Sequence, residues 1–163
     1  PQATKKARRK MSTQRLTRRL ELVDIPGFTP EDQTCWKVKA LATVDEAGNV
    51  SSNVIAALTT WQQSNPEDWK RIIKSLHYVG THAQHHDQSK VVNDRRKRGV
   101  FEIRANRCVC RLMSFYDNTR DAVVVCAYPY SKGKGHHDKD QDAAFAKCAS
   151  LKTTYQNYHE NQK

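Results

Sequence analysis

The chain has 163 residues, with 28 lysines and arginines against 17 acidic residues and a formal net charge of +11. This length fits one domain with an added arm, and the excess of positive charge predicts a polyanionic partner, because Lys and Arg gain free energy by displacing counterions from phosphates. An acidic membrane surface is the alternative partner. No apolar segment approaches the roughly 20 residues of a transmembrane helix. Five cysteines without repeated spacing argue against a disulfide framework. They predict reduced thiols in the cytoplasm.

The first 20 residues carry eight lysines and arginines and no acidic residue. We therefore predict a basic N-terminal arm at 1–23 and a folded domain at 24–163. A disordered arm is the plain interpretation, and an arm that becomes ordered on RNA or on a partner protein is the functional one. Phosphate contact is favoured, since Met11, Leu16 and Leu20 are its sizeable apolar residues. Deleting 1–20 should then flatten the salt dependence of RNA binding and leave the domain folded.

The first half of the domain contains one predicted strand and two predicted helices. Residues 35–45 alternate apolar and polar side chains and predict a strand. Residues 50–63 have a helical period after Ser51 or Ser52 as N-cap. Residues 65–79 open with Asn65, Pro66 and two acids, which are strong signals for the start of a helix that Gly80 would end.

The second half predicts an antiparallel meander followed by a closing helix. Residues 100–104, 109–116 and 122–128 are short, rich in valine and aromatic residues, and separated by turn-like residues. Because 122–128 is entirely apolar, we expect it in the middle of the sheet. Residues 143–158 carry apolar side chains at helical spacing.

Two polar loops, at 81–98 and 133–142, carry basic side chains. The first ends in a strongly basic run, and the second contains a lysine shortly after the last strand. We predict RNA contact by Lys90, Arg95, Arg96, Lys97, Arg98 and Lys134. A solvated loop without contacts is the alternative.

Three stretches, taken in order, resemble one family. They are VFEIR at 100–104, CRLMSFY at 110–116, and the apolar strand and basic turn at 122–132 with the helix that follows. Together they resemble the RelE/HigB superfamily of toxin ribonucleases, especially its phage-derived HigB-like branch, over residues 35–160. The resemblance implies an α+β fold, in which a small, mostly antiparallel four-stranded sheet packs against helices in the order β-α-α-β-β-β-α.

The resemblance also implies an activity: cleavage of mRNA on the ribosome by attack of a ribose 2′-hydroxyl on the adjacent phosphate, with no metal and no cofactor. Arg111 matches the family's strand arginine, Arg104 the arginine that ends the preceding strand, and Lys132 the basic turn. The chain departs from the family in the same turn, where relatives often have a second lysine or arginine and this sequence has Pro129, Tyr130 and Ser131. Tyr130 would serve there as a stacking platform or a proton donor. His85 stands for a loop histidine that is catalytic in some members, although His82 and His86 fit that place equally.

Each of these assignments has an alternative. Arg104 and Arg111 would instead form surface ion pairs with Glu102 or Asp117, and Tyr130 would be a packing residue. The histidines are interpreted as solvated loop residues rather than metal ligands, and Cys108 and Cys110 as core residues. The chain as a whole would be a non-catalytic RNA- or protein-binding subunit of a larger ribonucleoprotein complex. For the nuclease, an antitoxin is the expected protein partner.

Overall fold

A computed structural model describes residues 18–133 and 138–162. Residues 1–17, which make up most of the predicted arm, and Lys134 lie outside this part of the chain. The described residues form seven strands and three α-helices. In chain order these are β1 (Arg19–Asp24), β2 (Lys37–Val44), β3 (Val50–Ser51), α1 (Asn53–Ser64), α2 (Pro66–Thr81), β4 (Val91–Asn93), β5 (Phe101–Ile103), β6 (Cys110–Asp117), β7 (Val123–Ser131) and α3 (Asp138–Glu160).

All strands belong to one sheet with the order β1-β2-β7-β6-β5-β4, and β3 pairs with β2 beyond this path. Every pairing is antiparallel except that of β2 with β7, which is parallel. The predicted α+β class with a mostly antiparallel sheet is confirmed. The four predicted strands correspond to β2, β5, β6 and β7, and the apolar β7 lies inside the sheet as expected. The prediction of only four strands is wrong, because β1, β3 and β4 extend the sheet.

The three helices cover both faces of the sheet. Val54 and Leu58 of α1 and Ile72 and Leu76 of α2 are buried in a cluster with one face. On the opposite face, Phe145, Cys148 and Tyr155 of α3 are buried against β6 and β7. No helix in the described ranges is both long and apolar enough to cross a membrane.

The start signals of α1 and α2 work as predicted, but the end of α2 does not. Ser52 caps α1 by accepting a hydrogen bond from the Ile55 N–H at 3.3 Å. Helix α2 begins after Asn65 and continues through Gly80 to Thr81. A Cβ atom at Gly80 would lie 1.9 Å from the carbonyl oxygen of Asp32. Gly80 is therefore required by the close approach of a neighbouring turn rather than as a helix stop.

Strand β1 lies across the predicted boundary between arm and domain at residues 23 and 24. It pairs with β2 from Arg19 to Asp24, and Leu20 and Leu22 pack against the core on the α3 face. A deletion of 1–20 would consequently remove the first two residues of this strand. Truncation at residue 17 is the cleaner way to test whether the arm contacts phosphates.

Candidate active site

One pocket of about 370 Å³ gathers four of the five residues to which the sequence analysis assigned a catalytic role. Arg104 follows β5, Arg111 lies on β6, and Tyr130 and Lys132 lie at the end of β7. Among the described residues, the lining consists of Gln88, Val92, Asn93, Arg95, Glu102, Arg104, Arg111, Tyr130, Lys132, Gln141 and Phe145. Four cationic side chains and one carboxylate thus surround a single cavity, and this charge balance suits a phosphate group.

A bulge in β7 places Tyr130 on the pocket face of the sheet. Ser114 pairs with Cys126, but Met113 pairs with Tyr128, so that Ala127 is an extra residue. Side chains along a strand point alternately to the two faces of the sheet. One inserted residue therefore moves each later side chain of that strand to the opposite face. Val125 and Ala127 face α3 before the bulge, and Tyr128 and Tyr130 face α3 after it. Tyr130 thereby becomes the direct partner of Arg111.

At the base of the pocket a buried ion pair joins Arg111 to Glu102. The Nε atom of Arg111 lies 3.3 Å from Glu102 Oε1, and the two side chains are only 8% and 1% exposed. Arg111 Nη1 also donates to the carbonyl oxygens of Cys108 and Cys110. The alternative of an ion pair with Glu102 is therefore realised for Arg111, although it is buried rather than on the surface. Arg111 is less available to a phosphate than the sequence suggested.

Glu102 links the ion pair to Tyr130. The Tyr130 hydroxyl donates to Glu102 Oε2 at 2.8 Å, and Gln141 Nε2 donates to the same oxygen at 3.2 Å. The other oxygen, Oε1, is buried with no hydrogen-bond partner in the described region. Burial raises the pKa of Tyr130 above its usual value, and the adjacent Glu102 carboxylate raises it further. Tyr130 is consequently a neutral hydroxyl at physiological pH, and its proton points to a carboxylate.

Arg104 and Lys132 are the more accessible cations at the pocket. Both are half-buried. Arg104 donates through Nε and Nη2 to the carbonyl oxygen of Gln88 at 3.1 and 2.9 Å, which fixes the guanidinium without neutralising it. Asp117, the other acid considered as a partner, is bonded instead to Tyr155 and Arg120. Arg104 therefore keeps its full charge for a bound anion.

The structure does not bring His85 into this pocket. Its Nε2 lies 2.7 Å from the carbonyl oxygen of Val79, so this nitrogen carries the proton, and Nδ1 accepts from the Tyr116 hydroxyl at 2.6 Å. The ring also packs beside Trp36 and Tyr78. With both nitrogens occupied, His85 belongs to an aromatic cluster and does not join Arg104, Lys132 and Tyr130 in this pocket, as its catalytic assignment had led us to expect.

This geometry predicts a pH effect on stability. Burial lowers the pKa of His85 below the ordinary value of about 6.5. Because its pKa is higher, His85 of the unfolded chain binds a proton more readily than His85 of the folded chain. The folded state therefore has its full stability at a pH above the unfolded pKa, and it loses free energy of unfolding as the pH falls below that pKa. We expect the free energy of unfolding to fall less in His85→Gln than in the wild type when the pH is lowered from about 7.5 to about 5.5.

Denaturant titrations at the two pH values measure this difference. The exposed His86 provides the matched control, because His86→Gln should keep the wild-type pH dependence. His159, whose pKa burial also lowers, contributes equally in all three proteins. An unchanged pH dependence in His85→Gln would contradict the structural role of this ring.

Of the five described residues that were predicted to bind RNA, only Arg95 lines the pocket. Lys90 pairs with Asp87 at 2.8 Å and lies over the Tyr78 ring. Arg98 bridges Asp94 and Asp142, and Arg96 lies 3.4 Å from Asp142. Lys97 is exposed on a turn, and Lys134 is outside the described residues. The basic run is thus largely occupied in holding the 94–99 loop against α3.

The described part of the chain contains one group of potential metal ligands, Asp68, Cys108 and Cys110, whose ligand atoms lie within 4.8 Å of one another. The hydrogen bond between the two thiols lowers the pKa of Cys108 below its usual value. The Asp68 carboxylate already accepts from Arg71 at 3.0 Å and from the Val109 N–H at 2.9 Å. The group lies outside the pocket lining, and its contacts account for it as a packed part of the core.

Several pocket residues were not singled out by the sequence. Glu102, Gln88, Asn93 and Gln141 are the polar members of this group. The one available signal was an acidic residue between Phe101 and Ile103 in an apolar strand, since a buried carboxylate needs a partner. Nothing in the spacing of Gln88 or Gln141 indicates that they meet Arg104 or Glu102.

Compared with protein-family models, curated proteins and solved structures, the chain has no match.

Proposed function

We propose that the chain is an endoribonuclease of the RelE/HigB type, which cleaves mRNA on the ribosome by attack of a ribose 2′-hydroxyl on the adjacent phosphate without a metal ion. The observation that carries the proposal is the convergence of Arg95, Arg104, Lys132 and Tyr130 on one pocket. These residues come from separate parts of the chain. They also include two of the cationic positions taken from the resemblance, Arg104 and Lys132.

In this mechanism the cations act on the charge of the reacting phosphate. As the 2′-oxygen bonds to phosphorus, negative charge grows on the non-bridging oxygens. Arg104 and Lys132 supply fixed positive charge there, and Arg95 adds an exposed guanidinium at the rim. Arg111 does not contact the phosphate in this mechanism; its Nε atom lies 3.3 Å from Glu102 Oε1 and holds that carboxylate in place. It is a positioning residue.

Tyr130 and Glu102 handle the proton. The Tyr130 oxygen accepts the proton of the 2′-hydroxyl while the Tyr130 proton passes along the 2.8 Å hydrogen bond to Glu102. The 2′-oxygen then bonds to phosphorus, the bond from phosphorus to the 5′-oxygen breaks, and the leaving oxygen takes a proton from water. The products are a 2′,3′-cyclic phosphate and a 5′-hydroxyl.

The test is mRNA cleavage on ribosomes, with identification of the new RNA ends. Wild-type protein should shorten the mRNA, and Arg104→Ala and Lys132→Ala should each lower the rate by about 10²–10³-fold, the usual effect of losing one transition-state donor. Lys74→Ala, which removes an exposed cation on α2 far from the pocket lining, is the matched control and should leave the rate unchanged. New ends with a 3′-hydroxyl and a 5′-phosphate, the products of attack by a metal-activated water, would overturn the mechanism.

A non-catalytic binding subunit is the second candidate, and one observation favours it. Arg111 is already paired with Glu102, and no histidine among the described residues lines the pocket. Under this alternative, the same pocket binds RNA phosphate without cleaving it. Binding that persists on ribosomes with intact mRNA, and that weakens on truncation at residue 17, would select it over the nuclease. The partner to seek would then be a larger ribonucleoprotein complex, whereas the nuclease would have an antitoxin.

A further inference from the structure

A second pocket of about 370 Å³ adjoins the first. The two share a wall made of Gln88, Val92, Asn93 and Arg95. The remaining lining of the second pocket is His85, His86 and Val91. A molecule bound across the shared wall would therefore extend from the cationic first pocket into the second.

The second pocket differs from the first in its chemistry. Five of its seven lining residues have planar side chains: two imidazoles, two carboxamides and one guanidinium. The other two, Val91 and Val92, provide an apolar floor, of which Val91 is buried. None of its described lining residues carries a carboxylate, and Arg95 is its single full cation. This composition does not suit a second phosphate, but it suits a flat aromatic ring with polar edges.

The hydrogen bonds of the histidines support the same interpretation. Both nitrogens of His85 are occupied by Val79 and Tyr116, so the ring is held rigidly and offers no metal-ligating atom. His86 is exposed and makes one ring contact, from Nε2 to the Gln84 carboxamide at 2.9 Å. One histidine is thus a fixed wall, and the other is a ring able to stack.

We propose that the second pocket binds the nucleobase of the nucleotide whose phosphate lies in the first pocket. Single-stranded RNA is recognised by stacking of its bases on aromatic rings and guanidinium planes, with hydrogen bonds to the base edges. His86 and Arg95 are the stacking groups, and Asn93 and Gln88 are the edge-reading groups. The inference rests on the proposed function, because it takes the first pocket to hold an RNA phosphate.

The experiment titrates the full chain with the four nucleoside 3′-monophosphates and with ribose 3-phosphate, which lacks a base. We expect at least one nucleotide to bind about 5- to 150-fold more tightly than ribose 3-phosphate, the range given by stacking of one base. His86→Ala should reduce this ratio severalfold, and Asn93→Ala should reduce the differences among the four bases. Arg104→Ala should weaken all ligands equally and keep the ratio.

His82→Ala is the matched control, since His82 is an exposed histidine of the same loop outside both pocket linings and should leave every affinity unchanged. Equal binding of ribose 3-phosphate and the nucleotides would overturn the base site while leaving the phosphate site in place. A preference for nucleotides that survives His86→Ala and Asn93→Ala would also overturn it. Failure of every ligand to bind would remove the proposed function and this inference together.

Discussion

Replacing Arg111 by alanine should lower the free energy of unfolding by about 3–5 kcal/mol, because it leaves the Glu102 carboxylate buried without its cation. Glu102 is 1% exposed, and its Oε1 atom already lacks a hydrogen bond. The substitution also removes the donor shared by the carbonyl oxygens of Cys108 and Cys110. Urea titration monitored by the protein's tryptophan fluorescence measures the loss.

Arg104→Ala is the matched control, since Arg104 lines the same pocket but is half-buried and donates to a single carbonyl oxygen. Its loss should not exceed about 1.5 kcal/mol. Replacing both members of the pair, in Glu102→Met with Arg111→Met, should recover part of the stability, because no charge is then left buried. A loss below about 1 kcal/mol in Arg111→Ala would contradict the buried pair.

Tyr130→Phe should lower the cleavage rate by about 10²–10⁴-fold while the chain remains folded, because it removes the group proposed to pass the 2′-hydroxyl proton to Glu102. The substitution retains the ring and its packing against the α3 face. Gln141 still donates to Glu102 Oε2, so that oxygen keeps a hydrogen bond. Single-turnover cleavage by ribosome-bound enzyme, with unfolding measured in parallel, separates the loss of chemistry from a loss of structure.

Tyr128→Phe is the control for this substitution. Tyr128 lies two residues earlier on β7, is also half-buried, and is not part of the pocket lining. It should cleave at the wild-type rate. Equal cleavage rates in Tyr130→Phe and Tyr128→Phe would remove Tyr130 from the mechanism.

The main elements of the fold could be predicted from the sequence because their signals are local. Hydrophobic periodicity and capping residues located α1 and α2, and valine-rich runs located β5, β6 and β7. The missed strands lack such signals. Strand β1 begins within a basic segment, and β3 and β4 have only two and three residues. Their strand conformation depends on pairing with β2 and β5, a tertiary contact that no local pattern reveals.

The sequence predicted which residues line the pocket where the charge of a side chain or its position in a strand was enough to indicate it. Arg104, Arg111, Tyr130 and Lys132 do line one pocket. The roles of these residues depend on contacts that the sequence does not contain. The bulge at Ala127 turns Tyr130 towards Glu102, and the burial of Glu102 commits Arg111 to an ion pair. The position of His85 outside this pocket could not be predicted, because its partners, Val79 and Tyr116, come from α2 and β6.

The most direct test of the proposed reaction is cleavage of an mRNA that carries a single 2′-deoxy nucleotide on the 5′ side of the mapped cleavage site. Attack by the 2′-hydroxyl requires that this substitution abolish cleavage there, and that the all-ribose mRNA give a product ending in a 2′,3′-cyclic phosphate. The phosphate and the neighbouring bases are unchanged, so binding to the pocket is preserved. Cleavage of the deoxy-substituted mRNA at the same position and rate would contradict the mechanism.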